Sequence, residues 1–150
     1  MKVLLIHNFY KENSIGGEDL VFRSEKEGLK QIIGEKNVYT FTRNNEDISM
    51  FRAMFEMFFS VSAFFKVLYL IKRHEIDIIH VHNTFPSISP SVFIAARLLK
   101  KRSVLTLHNF RLHCVAGTFY RNNYGVCEDC FVKSSIWPDN ENKCFRGSLA

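Results

Sequence analysis

The chain reads as an α/β protein built on a Rossmann-like, doubly wound parallel sheet, with an irregular, cysteine-containing segment at its C-terminal end. Three observations carry that reading: near-continuous apolar runs of strand length, amphipathic helical segments between them, and regular alternation of the two up to residue 108. A run apolar at every position is the signature of a strand covered on both faces, which is the situation in a parallel sheet.

Residues 2–7 (KVLLIH) form the first such run and are expected as the first parallel strand. After a loop over 8–15 come Gly16 and Gly17, the acidic pair Glu18 and Asp19, then Val21/Phe22, Leu29 and Ile32/Ile33 at helical spacing. Gly34 is a plausible helix stop, and the β-branched and aromatic stretch 37–42 (NVYTFT) is expected as the second strand. Residues 54–73 read as one long helix, apolar almost all round, with a narrow wet stripe through Ser62, Lys66, Tyr69 and Arg73. The third strand is expected over 77–82 (DIIHVH), a helix over 88–99 and the fourth strand over 103–108 (SVLTLH). Beyond Asn109 the periodicity ends, and no helix or strand is expected; 110–150 reads as a loop or small subdomain.

Length and composition narrow the class. With 150 residues the default is one domain with a sizeable core. A content of 47% hydrophobic and 23% charged residues, with mean hydropathy −0.06, argues against both a disordered chain and an integral membrane bundle. Lys and Arg outnumber Asp and Glu by 20 to 15, but the bases are scattered and the longest run is Lys100-Lys101-Arg102. That balance favours anionic partners weakly and does not establish nucleic-acid binding. Residues 2–6 are far too short for a signal-peptide core, and Glu56, Ser60, Ser62 and Lys66 interrupt the longest apolar stretch. A cytoplasmic protein is expected, with peripheral contact at the inner face of a membrane as the sharper reading of the 54–73 helix beside Lys66, Lys72 and Arg73.

Chemistry is expected at the carboxyl ends of the strands, where open α/β sheets bind ligands. The dipeptide His-Asn recurs there, at His7-Asn8, His82-Asn83 and His108-Asn109. Gly16 and Gly17 permit close approach of a ligand to the backbone, and the helix after them offers unpaired N–H groups to a phosphate. The G-x-G-x-x-G spacing of a dinucleotide site is absent, so an ordinary turn stands beside phosphate binding. His80 and His82 share a strand face, either converging on a metal or substrate or sitting as hydrogen-bonded histidines at a sheet edge. His108 precedes a loop holding Arg111 and His113, where imidazole can bind sugar hydroxyls or phosphate, or act as an acid or base. The four cysteines, Cys114, Cys127, Cys130 and Cys144, include one C-x-x-C and are read either as a structural zinc site or as reduced, buried thiols.

Several of these stretches together resemble the N-terminal domain of family 4 glycosyltransferases, the retaining group with two facing Rossmann-like domains (the GT-B architecture). The stretches are KVLLIHNFY leading to GGEDLVFRSE, then DIIHVHNTFPSISPSVFIAARLLKKRSVLTLHNFRLHCVAGTFYRNNYGVCEDC, and finally WPDNENKCFRGSLA. The resemblance implies transfer of a sugar from a nucleotide-sugar to a glycan or lipid-linked acceptor with retention, without a catalytic metal. It places Gly16 and Gly17 under the donor phosphate and near the acceptor, with Glu18 a substrate-binding candidate next to them, and His108 against the donor sugar as the catalytic-site histidine. His82, Asn83, Asn109 and Arg111 are the accompanying substrate-binding candidates, and any zinc at the cysteines is structural. The family's acidic E-x7-E element and its diphosphate contacts have no counterpart here, so residues 1–150 are expected to be an incomplete acceptor-side domain, needing a C-terminal donor-binding domain or subunit.

Two other classes compete. One is a non-catalytic module that binds a partner or glycan through its strand edge and loops, or an inactive truncated fragment. The other is a zinc-containing nucleic-acid binder, resting on a pI near 9.1 and the cysteines, but the aromatics occupy apolar-core positions and no nucleic-acid partner is expected.

Overall fold

Residues 3–8 are all buried, and this unbroken burial puts strand β1 (Val3–Phe9) in the middle of the sheet. The structure is a computed structural model and describes residues 1–9, 16–44, 56–121, 124–135, 141–142 and 144. The chain divides into two compact units, Met1–Thr106 and Leu107–Ala150.

In the first unit β1 pairs in parallel with β2 (Val38–Asn44) on one side and β3 (Ile78–Asn83) on the other. β4 (Arg102–Leu105) adds in parallel to β3, giving the order β2-β1-β3-β4. The chain steps from β1 outward to β2, then returns to the other side of β1 for β3. The gap between the carboxyl ends of β1 and β3 is therefore the topological switch point, where Rossmann-like sheets hold ligands.

Alternation along the strands builds two cores. Leu4, Ile6, Ile79 and Val81 point to one face and pack with Val67 and Ile71 of helix α2 (Val61–His74) and Val92 and Ala95 of helix α3 (Ser91–Leu98). Val3, Leu5 and Ile78 point to the other face, under Phe22, Leu29 and Ile33 of helix α1 (Gly17–Ile33). Each fully buried Leu or Ile contributes about 1.5–3 kcal/mol, so the first face, with far more such residues, anchors the unit. Helices on both faces of a parallel sheet are the α/β architecture expected from the alternation.

The helix ends follow local chemistry. Gly16 is the N-cap of α1; its N–H donates to Asp19 Oδ2 (3.2 Å) and its carbonyl accepts from the Asp19 N–H (3.1 Å). Gly34, at φ +86°, ends the helix with its N–H on the Lys30 carbonyl, a backbone geometry that a side chain would strain. A 3₁₀ turn (Glu35–Asn37) leads into β2, and Asn37 Nδ2 donates to the Ile33 carbonyl at 2.6 Å.

Several boundaries differ from the sequence reading. The helix expected over 54–73 is broken: residues 56–58 form one helical turn, Phe59 and Ser60 leave it, and α2 starts at Val61. The cause is Ser60, whose hydroxyl accepts the Ala63 N–H as an N-cap, competing with continuation of the helix. Residues 54 and 55 lie outside the described residues. The wet face of α2 is broad rather than narrow, with Val61, Phe65 and Tyr69 exposed alongside Ser62, Lys66, Lys72 and Arg73. The helix expected from residue 88 begins at Ser91, since the N–H groups of Ile88 and Ser89 fold back onto the Thr84 carbonyl. β4 stops at Leu105, three residues short of His108, and all four of its residues are exposed. It is an edge strand, so its apolar sequence reports one-sided pairing rather than full burial.

The second unit is not wholly irregular, as had been expected. Strands β5 (Tyr120–Arg121) and β6 (Gly125–Val126) form an antiparallel pair, followed by one helical turn, α4 (Asp129–Val132). Phe119 packs against Phe110 (ring centroids 4.9 Å) and Phe131 (6.3 Å), and Gly117, at φ +79°, turns the 110–117 loop back so that its carbonyl accepts the Phe110 N–H. These elements lacked a readable period because a two-residue strand is shorter than any repeat.

Candidate functional site

The strand face under α1 changes chemistry along its length. At the amino end it presents Val3, Leu5 and Ile78; at the carboxyl end the same alternation presents His7, His80 and His82. The helix above matches this change, since Asp19, Phe22 and Glu25 lie three residues apart on the face turned to the sheet.

His7 is fully buried, stacked on Phe22 (ring centroids 4.8 Å), and its Nε2–H donates to Asp19 Oδ1 at 2.7 Å. An ionised carboxylate only accepts, which places the proton on Nε2. One Asp19 carboxylate thus serves both His7 and the Gly16 N–H, tying the glycine turn to the end of β1. His82 sits against the same Phe22 ring, 5.4 Å away and edge-on, and 6.2 Å from His7.

His80 and His82 stack on one another, with ring centroids 4.6 Å apart, in line with their expected shared face. His80 Nδ1–H donates to Glu25 Oε1 at 2.5 Å, its Nε2 is 2.7 Å from Thr106 Oγ1, and His82 Nε2 lies 3.4 Å from Glu25 Oε2. The ligand atoms of Glu25, His80 and His82 all come within 4.8 Å of one another.

Asparagines brace the rim. Asn83 Nδ2 donates to the Asn8 carbonyl (3.2 Å) and to Glu18 Oε1 (3.3 Å), while its Oδ1 accepts the Phe85 N–H. Buried Asn8 holds the next loop, donating to the Phe85 carbonyl and accepting from the Ser87 hydroxyl at 2.6 Å. Arg43, at the end of β2, fans across Glu56, Ser60, Ser62 and the Ser87 carbonyl, pinning the start of α2 to the same loop.

Of the sequence candidates, the structure gathers Gly16, Gly17, Glu18, His82 and Asn83 around the β1/β3 switch point, with His7 beside them. Gly17 is exposed at the first position of α1, and a Cβ there meets no described atom within 4 Å. Intrahelical hydrogen bonds begin at the Asp19 N–H, so the Gly17 and Glu18 N–H groups have no acceptor within the helix. His108, Asn109 and Arg111 belong to the second unit, where Asn109 Oδ1 accepts the Arg111 N–H at 3.1 Å. His108 does not end a strand, contrary to expectation, because the β3–β4 ladder gives way to a loop after Thr106.

Cys114, Cys127, Cys130 and Cys144 are half-buried, and all four line one small cavity with Phe119 and Tyr120. Among the described residues no three of their sulfurs lie within 4.8 Å of one another, so a metal there would have to draw them inward. Beside it Arg111, His113, Cys130 and Phe131 line a more open cleft of about 420 Å³.

Sequence reasoning missed Asp19 as the partner of His7, and Glu25 and Thr106 altogether. The one available signal was the three-residue spacing of Asp19, Phe22 and Glu25, which marks a common helix face. No helix among the described residues is long and apolar enough to cross a membrane. In comparisons with known proteins, no family model, no curated protein and no solved structure gives a significant match to this chain.

Proposed function

We propose that this chain is the acceptor-side domain of a retaining glycosyltransferase of the two-domain GT-B type, transferring a sugar from a nucleotide-sugar to a glycan or lipid-linked acceptor. The observation that carries the reading is the glycine turn at the head of α1, set beside the β1/β3 switch point with His7, His82 and Asn83 around it. The Gly17 and Glu18 N–H groups and the positive end of a 17-residue helix suit a phosphate or a polarised hydroxyl. The sequence resemblance adds His108, Asn109 and Arg111 as donor-sugar contacts and calls for a C-terminal donor-binding domain or subunit. A cytoplasmic setting fits this reading, and the exposed Val61, Phe65 and Tyr69 beside Lys66 and Lys72 suit peripheral contact with an anionic membrane carrying the acceptor.

The cysteines fit a structural zinc in the same scheme. Described residues of the second unit are nearly all exposed or half-buried, and so small a unit gains most from a metal staple.

A second reading is supported by β4. Its four exposed residues leave a sheet edge, with Val104 and Leu105 uncovered, that suits strand addition by a partner. The chain would then be a binding module without transfer activity.

A radiolabelled nucleotide-sugar assay separates the two. Transfer by the chain, alone or with extract from its source, is expected for the glycosyltransferase. Absence of both transfer and hydrolysis under either condition, together with stable capture of one partner chain, overturns it in favour of the module.

A further inference from the structure

We infer that Glu25, His80 and His82 form a binding site for a divalent transition ion of the zinc class, clamping helix α1 to strand β3. It uses none of the cysteines, and it shares His82 with the proposed glycosyltransferase site without resting on that reading.

The donor set suits that class of ion: two imidazole nitrogens and one carboxylate, which as three protein ligands leave a further position for water. Zinc bonds of about 2.0–2.1 Å at a tetrahedral angle put ligand atoms roughly 3.3 Å apart. His82 Nε2 and Glu25 Oε2 already stand at 3.4 Å. His80 Nδ1 and Glu25 Oε1, at 2.5 Å, need to separate by less than the length of a bond. Glu25 can supply that movement, because its carboxylate is the most exposed of the three groups, 29% against 16% for His80 and 0% for His82. The same exposure gives the ion an entry path.

The outer partners are also in place. To bind through Nδ1, His80 must carry its proton on Nε2, and Thr106 Oγ1 lies 2.7 Å from that nitrogen as acceptor. The proton between His80 and Glu25 is thereby relocated across the ring. The imidazole stack holds His80 and His82 on one face, and Phe22 walls off the inner side.

The ion would join the middle of α1 to β3. The same face of α1, one turn closer to its start, carries Asp19, which holds Gly16 and His7. Occupancy therefore steadies the glycine turn.

Cobalt(II) is the probe, because thiolate ligation produces an intense charge-transfer band that nitrogen and oxygen ligands do not. Titrated into the full chain, cobalt(II) is expected to give weak visible d–d bands of a non-thiolate site in addition to any thiolate band. Glu25→Gln should weaken the non-thiolate component at least about 10-fold, and Thr106→Val about 10-fold or more through the outer partner. Neither should alter the thiolate band. Zinc should raise the thermal midpoint of the wild-type chain more than that of Glu25→Gln. Circular dichroism verifies folding, and Thr106→Val carries the test if Glu25→Gln fails to fold. Absence of a non-thiolate component, or equal cobalt affinity in wild type and both folded variants, overturns the site.

Discussion

Asp19 shows how much one side chain can carry. Its two oxygens hold a fully buried imidazole and a helix-capping N–H, so its removal loses a cap and leaves His7 without its acceptor. Asp19→Ala should cost about 2.5–4 kcal/mol, adding a cap of roughly 1 kcal/mol to a charge-assisted hydrogen bond of about 1.5–3. Urea denaturation measures this, and a loss within error of zero would show that neither bond contributes. Asp77 does related work at the other end of the sheet. The Lys2 N–H on its Oδ2 (2.7 Å), with the chain's amino terminus and nearby lysines, holds its carboxyl below its ordinary 3.8. A lowered carboxyl contributes stability above its ordinary value and loses it as pH falls through the folded value. The wild-type urea midpoint should therefore drop below about pH 4 more steeply than that of Asp77→Asn; parallel profiles would assign the acid limb to other groups.

Among the elements, α1 bears on function most directly. Since a Cβ at Gly17 meets no described atom within 4 Å, Gly17→Val should fold with stability within about 1 kcal/mol of wild type. If a ligand approaches the backbone there, the same variant should lose nucleotide-sugar or acceptor binding by about 10-fold or more, as read by calorimetry. Wild-type affinity would remove the glycine turn from the site. Gly34 is the contrasting case: at φ +86° any side chain is strained, so Gly34→Ala should destabilise by about 1–2 kcal/mol without touching a ligand. Legibility also varied by element. β1 was readable because it is an unbroken apolar run and α1 because its apolar residues recur at helical spacing, whereas α2 was overextended because Ser60 caps it with a single hydroxyl inside an apolar run.

At the scale of the whole molecule, the second compact unit carries its own tests. In the glycosyltransferase reading, His108→Ala in the second unit should lower turnover about 100-fold with an unchanged circular dichroism spectrum; full turnover would remove it from the reaction. If the proposed structural zinc is present, the protein should hold about one thiolate-bound zinc per chain, and chelator should cause loss of structure in the second unit. A chelator-insensitive protein would leave the thiols as ordinary half-buried side chains.

By itself the sequence determined the α/β class, the parallel strands, the glycine turn ahead of α1 and the common face of His80 and His82. These follow from unbroken apolar runs and from periods of two and 3.6 residues, which are local properties of a chain. Tertiary structure decided the strand order, and with it the meeting of His7 and His82 at the switch point. It also decided that β4 is an exposed edge, since an apolar run carries no record of how many neighbours it has. The pairing of Asp19 with His7, and of Glu25 with His80 and His82, likewise depends on how α1 lies across β1 and β3. Those contacts join residues with no local periodicity between them, so only the packed structure brings them together.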